Sequence, residues 1–316
     1  MNSVLKITHL EVDICVDGAV MNSPLRGMNL EVKAGKTLGI VGETGCGKTL
    51  TAMAIMGLLP STAVVRGDIE LADHGRITQD YMERIRGQEI AMIFQNPQSA
   101  FNPIFTIGDQ LTMVAKRRNI ARSEIEKLLI LRLNSVGLSD TKRTLAAYPH
   151  ELSGGMLQRV MIAMSLLSTP KLLIADEPTT ALDATVGDQV LRLIHELQIL
   201  QGFAMLFISH DVSAVAKTSD EIAVVYAGKI VETGPTHVVM NNPKHPYTQG
   251  LLGAIPSADK ARGTLVAISG NVPSNLAGLV GCSFAERCPK RIAQCADEPP
   301  MVTVDEHSVA CWRSEQ

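Results

Sequence analysis

Aromatic side chains are scarce: one Trp, four Tyr and six Phe make up 3% of the 316 residues, and none precedes Tyr81. Any ligand ring held by the chain before that point must rest on aliphatic groups, without aromatic stacking. A surplus of positive charge is also missing, since 29 Lys and Arg stand against 32 Asp and Glu for a formal charge of −3. That balance argues against the broad basic face of a nucleic-acid binder, and no nucleic-acid partner is expected. Long apolar runs are absent despite 46% hydrophobic residues. The longest uninterrupted ones, such as LLIA before Asp176 and FAMLFI after Gly202, have the length of strands and fall far short of a bilayer span. No membrane anchor is therefore expected. The start, MNSVLKITHLEVDIC, lacks the charged head and long apolar stretch of a secretory signal, so the chain is expected in the cytoplasm. Neither an internal repeat nor a low-complexity tract is found.

What is present alternates between strand and helix patterns. VLKITHLEVDI, GMNLEV and TLGIV read as strands, and LTAMAIMGLLP reads as a helix that stops at Pro60. IAMIF, KLLIAD and AMLFIS look like buried strands of a parallel sheet, and a Leu- and Ile-rich helix is expected from Val186 to Leu200. This is the alternation of an α/β domain. Between Gln95 and Lys171 the pattern is mostly helical, as in RSEIEKLLILRLNSVGL. EIAVVYAGKIVETG reads as a hairpin turning at Ala227 and Gly228, and from about Ile255 periodicity fades while Pro, Gly and Cys become frequent.

GETGCGKT, comprising Gly42, Glu43, Thr44, Gly45, Cys46, Gly47, Lys48 and Thr49, follows a strand and opens a helix at Leu50. That is the context a phosphate-binding loop requires: converging N–H groups, a Lys reaching the outer phosphates and a hydroxyl for Mg²⁺. The bland alternative is a glycine turn beside a surface Lys. Asp176, ending an apolar strand, suits the metal's water shell, and Glu177 suits a base that polarises the attacking water. The pair could otherwise cap the following helix. His210 and Gln95 also follow strands, where open α/β sheets bind ligands. His210 is placed to reach the γ-phosphate and Gln95 to sense metal and water. A second anion cradle lies in ELSGGML, where Ser153, Gly154 and Gly155 precede a helix.

In order, GETGCGKT, Gln95, ELSGGML, LLIADEP, TALD and His210 resemble the ATP-binding subunit of ABC transporters over nearly the whole chain. The resemblance implies an α/β P-loop NTPase (ABC ATPase) core with an antiparallel β subdomain and a helical subdomain at about 96–170. A nucleotide-binding domain would span 1–253 and a small Cys-rich accessory domain 254–316. It further implies that two such subunits meet head to tail, each SGG turn closing over the ATP held by its partner, with Asp183 relaying between sites. Thr49, Gln95 and Asp176 would hold Mg²⁺. Two departures stand out. Ile14 lies about where the family has a ring under adenine, and Met156 follows the glycines where Gln is more usual. Weaker or less base-selective ATP binding is expected, and with it a second ATPase subunit that is a different chain.

HPYTQGLLGAIP, ISGNVP, GCSFAERCPKRIAQC and ACW look like the carboxyl-terminal extension of subunits that power peptide and nickel-type importers. Within it stand Cys282, Cys288, Cys295 and Cys311. Four thiolates could hold a 4Fe-4S cluster or a Zn²⁺ ion. Tight CxxC pairs are lacking and the resemblance implies iron; a structural role is expected, since nothing in the sequence places these residues near the nucleotide. Free buried cysteines are the alternative. QNPQSAFNP is where such subunits meet their membrane partners. The expected function is ATP hydrolysis driving uptake of peptides, nickel or a metal chelate at the cytoplasmic face of a bacterial inner membrane. Two transmembrane permease subunits and an extracytoplasmic substrate-binding protein would complete the assembly. A soluble ABC-type ATPase acting on DNA or ribosomes is the competing reading, disfavoured by the absence of tandem ATPase units and long coiled-coil insertions. A phosphate-loop kinase would lack the SGG element.

Overall fold

The computed structural model describes residues 2–117, 120–255 and 268–314. Residues 256–267, just past the domain boundary expected at 253/254, lie outside the described residues. The chain divides into two compact units, residues 1–77 with 207–316, and residues 78–206. The tail does not separate as a unit of its own; it is grouped with the amino-terminal strands. Among the described residues no helix is long and apolar enough to cross a membrane.

In the first unit β1 (Ser3–Val16), β2 (Ala19–Lys33), β3 (Thr37–Val41), β4 (Ala63–Leu71) and β5 (Gly75–Arg76) come first in the chain. An antiparallel sheet runs β2-β1-β4-β5. β4 escaped the sequence reading because Arg66, Gly67 and Asp68 interrupt its apolar alternation; the β1–β4 pairing is itself irregular there, shifting register between Thr8 and Glu11. In the second unit β6 (Ile90–Ile93) and β7 (Leu172–Asp176) pair in parallel, Ile90 opposite Leu172. β8 (Ala204–Ile208) spans the division in the chain. Returning to the first unit, β9 (Glu221–Tyr226) lies parallel to β3, and β10 (Lys229–Pro235) folds back on β9 through the expected turn at Ala227 and Gly228. The tail adds β11 (Val302–Val304) and β12 (His307–Val309), with β12 antiparallel to β10. Every residue of β3, β7 and β8 is buried, which is why these read as continuous apolar runs.

Helices Ile107–Lys116, Arg122–Ser135, Thr141–Ala146 and Gly154–Ser165 belong to the second unit, as does the expected helix after β7, Ala184–Gln201. The helix expected to reach Pro60 ends at Ile55. Gly57 takes a left-handed φ of 62°, and Leu58 N–H donates to Met53 O at 2.9 Å, closing the last turn. A glycine at that position stops a helix before any proline does.

Candidate functional site

The phosphate loop, residues 42–49, leaves β3 and enters the helix Lys48–Ile55. Gly47 has φ 108°, and a Cβ there would lie 2.7 Å from Leu25 Cδ2. Only glycine brings the loop this close to β2. Lys48 is buried and donates from Nζ to Gly42 O at 2.7 Å and Glu43 O at 3.0 Å. Cys46 is fully buried, and burial pushes its thiol above the ordinary range. The turn after β9 backs the loop, with Gly228 N–H donating to Cys46 O at 3.0 Å. Thr44, Gly45 and Thr49 are exposed, and Leu50 is half-buried behind them. His210 is exposed beyond β8, next to Ser209, whose N–H donates to Ile40 O of β3 at 3.1 Å.

Two residues missed in the sequence hold this loop from outside. Arg287 of the tail forms a two-pronged ion pair with Glu43, Nη1 to Oε2 at 2.6 Å and Nη2 to Oε1 at 3.0 Å. Glu43 N–H donates to Tyr247 Oη at 2.8 Å. Tyr247 packs with Tyr226 and Phe284 at centroid separations of 4.7 and 5.4 Å. Nothing in the sequence places the tail's cysteines near the nucleotide loop, yet Arg287, next to Cys288, touches it. The pair spans 244 positions, and no local pattern links residues so far apart.

Ile14 is half-buried in β1 opposite Asn22 and Ala63. Around it the hairpin tip exposes Val16 (50%), Val20 (49%) and Met21 (55%), an aliphatic surface that the single-residue reading of Ile14 overlooked.

The second unit carries the acidic pair. Asp176, ending β7, is buried; Glu177 follows with φ 46°, a left-handed conformation costly for a side-chain-bearing residue. Its Oε2 accepts from Gln95 Nε2 at 3.0 Å and from Thr180 Oγ1 at 2.8 Å. Gln95 and Glu177 are thus brought together. Thr180 was missed, because a hydroxyl three residues beyond a carboxylate reads as an ordinary turn. The turn before the helix Gly154–Ser165 is exposed at Ser153 and Gly154, and Ser153 Oγ accepts from Met156 N–H at 3.3 Å. Asp183 caps the helix Ala184–Gln201 by accepting from Val186 N–H at 3.0 Å. The two helix starts touch: a Cβ on Gly155 would come within 3.1 Å of Val186 Cγ1.

Cys282, Cys288, Cys295 and Cys311 are half-buried and form no disulfide. Cys282 N–H donates to Cys295 O at 3.0 Å. Burial pushes the Cys282 thiol up to about 11 and raises that of Cys288. Cys282 also senses the charges of the other three, and Cys288 those of Cys311 and Cys295. Among the described residues no three His, Cys, Asp or Glu side chains converge as they would around one metal ion. A tetrahedral Zn²⁺ site, the alternative raised by the sequence, therefore has no preformed ligand set here.

Residues 25–180 match the family ABC transporter, and residues 231–295 match the family Oligopeptide/dipeptide transporter, C-terminal region. The whole chain aligns at 41% identity with 96% of the dipeptide transport ATP-binding protein DppD of Bacillus subtilis. It is also 41% identical to OppD, the oligopeptide transport ATP-binding protein of Mycobacterium tuberculosis, covering 52% of that longer protein. Among solved structures, cbiO1 of Clostridium perfringens, part of the ABC transporter complex cbiONQ, superposes with a TM-score of 0.65 at 24% identity, over 77% of this chain and 92% of that one. The dimeric ATP-binding cassette MJ0796 bound to ADP and Pi does so with 0.64 at 24%, over 73% and 98%. At that identity both show the fold.

Proposed function

The chain belongs to the ABC transporter family, among the dipeptide and oligopeptide transport ATP-binding proteins, and from that premise we propose that its ATP hydrolysis drives uptake of peptides across a bacterial inner membrane. Peptides are favoured over nickel or a metal chelate because the relatives described above carry dipeptide and oligopeptide names. The observation that carries the reading is a contrast of two cradles. One, at residues 42–49, is braced from behind; the other, at Ser153 and Gly154, stands exposed. A phosphate satisfies donors on two surfaces only when those surfaces meet. ATP on the phosphate loop of one ATPase subunit then meets the Ser153, Gly154 and Gly155 turn of another, and hydrolysis releases the pair.

In this scheme the domain layout is 1–253 for nucleotide binding, with a helical part at about 96–170, and 254–316 as the accessory domain. Lys48 and the amides up to Leu50 take the phosphates, and Ile14 with Val16 gives adenine an aliphatic floor. Thr49, Gln95 and Asp176 would hold Mg²⁺, which supplies neutralisation of phosphate charge. Glu177, steadied by Gln95 and Thr180, accepts the proton of the attacking water, and His210 contacts the γ-phosphate. Asp183, at a helix start touching the SGG turn, relays the state of one site to the other. The partners are two permease subunits, a second and different ATPase chain and an extracytoplasmic substrate-binding protein. Exposed Phe94 (37%), Ile104 (72%) and Phe105 (38%) flank QNPQSAFNP, residues 95–103, and support permease docking there.

Cys282, Cys288, Cys295 and Cys311 would be the ligands of a 4Fe-4S cluster: all four are half-buried thiols outside any disulfide, and Cys282 N–H donates to Cys295 O. A cluster would supply a cross-link to a tail with few apolar runs. Visible absorbance lost on Cys288→Ser is the expected result, and equimolar zinc without iron would overturn it. For the transport reading, Lys48→Ala is expected to reduce ATP-dependent uptake of a labelled dipeptide by the reconstituted complex to its ATP-free level. Undiminished uptake with the equivalent change in both ATPases would contradict it.

A further inference from the structure

We propose that Arg287 is a positioning residue for nucleotide binding: by fixing Glu43, it lets the cysteine-bearing loop of the tail set the geometry of the phosphate loop. The inference rests on residues 42–49 binding ATP, and on neither the cargo nor the partners.

The guanidinium is fully committed. Besides the two bonds to Glu43, Nε donates to Ser269 O at 2.8 Å, Nη2 to Gly270 O at 3.1 Å and Nη1 to Tyr226 Oη at 3.5 Å. Those five bonds use all five donors of an arginine. Its carbon lies 5.7 Å from the Tyr226 ring centroid and 5.9 Å from that of Phe284, and the side chain is only 6% exposed. A lysine has neither the planar fork nor enough donors to replace it.

Glu43 is held just as completely. Its carboxylate takes Arg287, its N–H takes Tyr247, and its carbonyl accepts from Lys48 Nζ and, at 3.3 Å, from Cys46 N–H. Arg287, Glu43 and Lys48 thus form a continuous chain from the tail to the residue assigned to the outer phosphates. Thr44 and Gly45, next in the loop, are exposed. The loop is therefore gripped at its first turn and open where a ligand enters. Pre-organisation of this kind raises affinity by lowering the ordering cost of binding. At the other end of the chain, Arg287 sits on a run of turns begun at Cys282: Ala285 N–H donates to Cys282 O, Arg287 N–H to Phe284 O and Cys288 N–H to Ala285 O.

Charge alone predicts something different. Were the pair merely a charge balance near the phosphates, Arg287→Met would weaken nucleotide binding and Glu43→Gln would strengthen it. Positioning requires both to weaken it. The experiment is titration of the full-length chain with a fluorescent MgATP analogue and thermal melting, alongside steady-state ATPase of this chain assembled with its partner ATPase. Each single variant is expected to raise Kd and KM about tenfold, the scale of a lost charge-assisted bond. kcat at saturation should stay within about twofold, the split that marks lost binding without lost chemistry. The double variant should be no worse than the weaker single, since both break one interaction. Arg287→Lys should not restore affinity. Wild-type Kd in a folded Arg287→Met or Glu43→Gln chain, tighter binding by Glu43→Gln, or multiplicative effects in the double variant would overturn the inference alone. If Arg287→Met does not fold, Glu43→Gln reads the same pair from the loop side. A wild-type chain that binds no MgATP would overturn both the inference and the reading beneath it.

Discussion

The two anion cradles differ in what surrounds them. The phosphate loop is tied by Lys48 to its own carbonyls, by Tyr247 and Arg287 to distant segments, and by Gly228 to a neighbouring hairpin turn. The Ser153 turn has its helix cap and a contact with the start of the next helix, while Ser153 and Gly154 face solvent. A cradle braced on several sides is built before its ligand arrives. One with an open face is completed by whatever surface comes to it. If the proposed pairing holds, the braced cradle is the half of the pocket this chain finishes by itself, and the open one is the half offered to a partner.

The contrast can be broken in three ways. The largest effect is expected from Glu177→Gln, which should cut ATP hydrolysis by about 10²–10⁴, the usual span for a general base. MgATP affinity should persist, with ATP-held pairs accumulating in size-exclusion chromatography; retained turnover would remove Glu177 from the chemistry.

The second tests the brace in acid. His245 is buried, its Nδ1 accepts Tyr247 N–H at 3.1 Å, and burial lowers its pKa from 6.5 to about 3. Glu232, wholly buried nearby, accepts His245 N–H at 3.0 Å and faces His307 Nε2 at 2.7 Å. Below pH 6.5 the unfolded chain takes a proton that the folded chain refuses. Stability is therefore full above that pH and is lost as pH falls from 6.5 toward 3. At pH 5 the loss should reach about 2 kcal/mol by linkage. His245→Asn keeps an acceptor for Tyr247 and should flatten the slope in pH-resolved denaturant melts; an unchanged slope would place the acid sensitivity elsewhere.

The smallest effect sharpens the open cradle. Ser153→Ala should lower ATPase about fivefold through one weakened polar contact, chiefly at low protein concentration. MgATP affinity of the isolated chain should not move. A change in that affinity would mean the turn serves its own chain's nucleotide.

Much of the candidate site was legible. GETGCGKT carries its function in local geometry, and β3, β7 and β8 announced themselves as apolar runs long enough for a buried strand. The SGG turn was read as a helix start, and it is one; Asp183 was read as a relay, while its place as the cap of the next helix went unread. Elsewhere local pattern failed for identifiable reasons. β4 was hidden by polar residues in an edge-like stretch, and the first helix stopped at Gly57 because backbone chirality acts before Pro60 is reached. Thr180 and Arg287 were missed because hydrogen-bond partners are chosen in space, and neither residue type is unusual where it stands.

By itself the sequence determined the glycine-rich loop between strand and helix, the strand and helix alternation and the SGG helix start, since each depends on residues within a few positions of one another. Only the tertiary structure decided that Glu43 is clamped by Arg287 and Tyr247, and that the tail joins the amino-terminal unit. The physical reason is range. Backbone dihedrals, helix caps and glycine turns act over one turn of chain, whereas an ion pair spanning 244 positions exists only once packing has brought its two ends together.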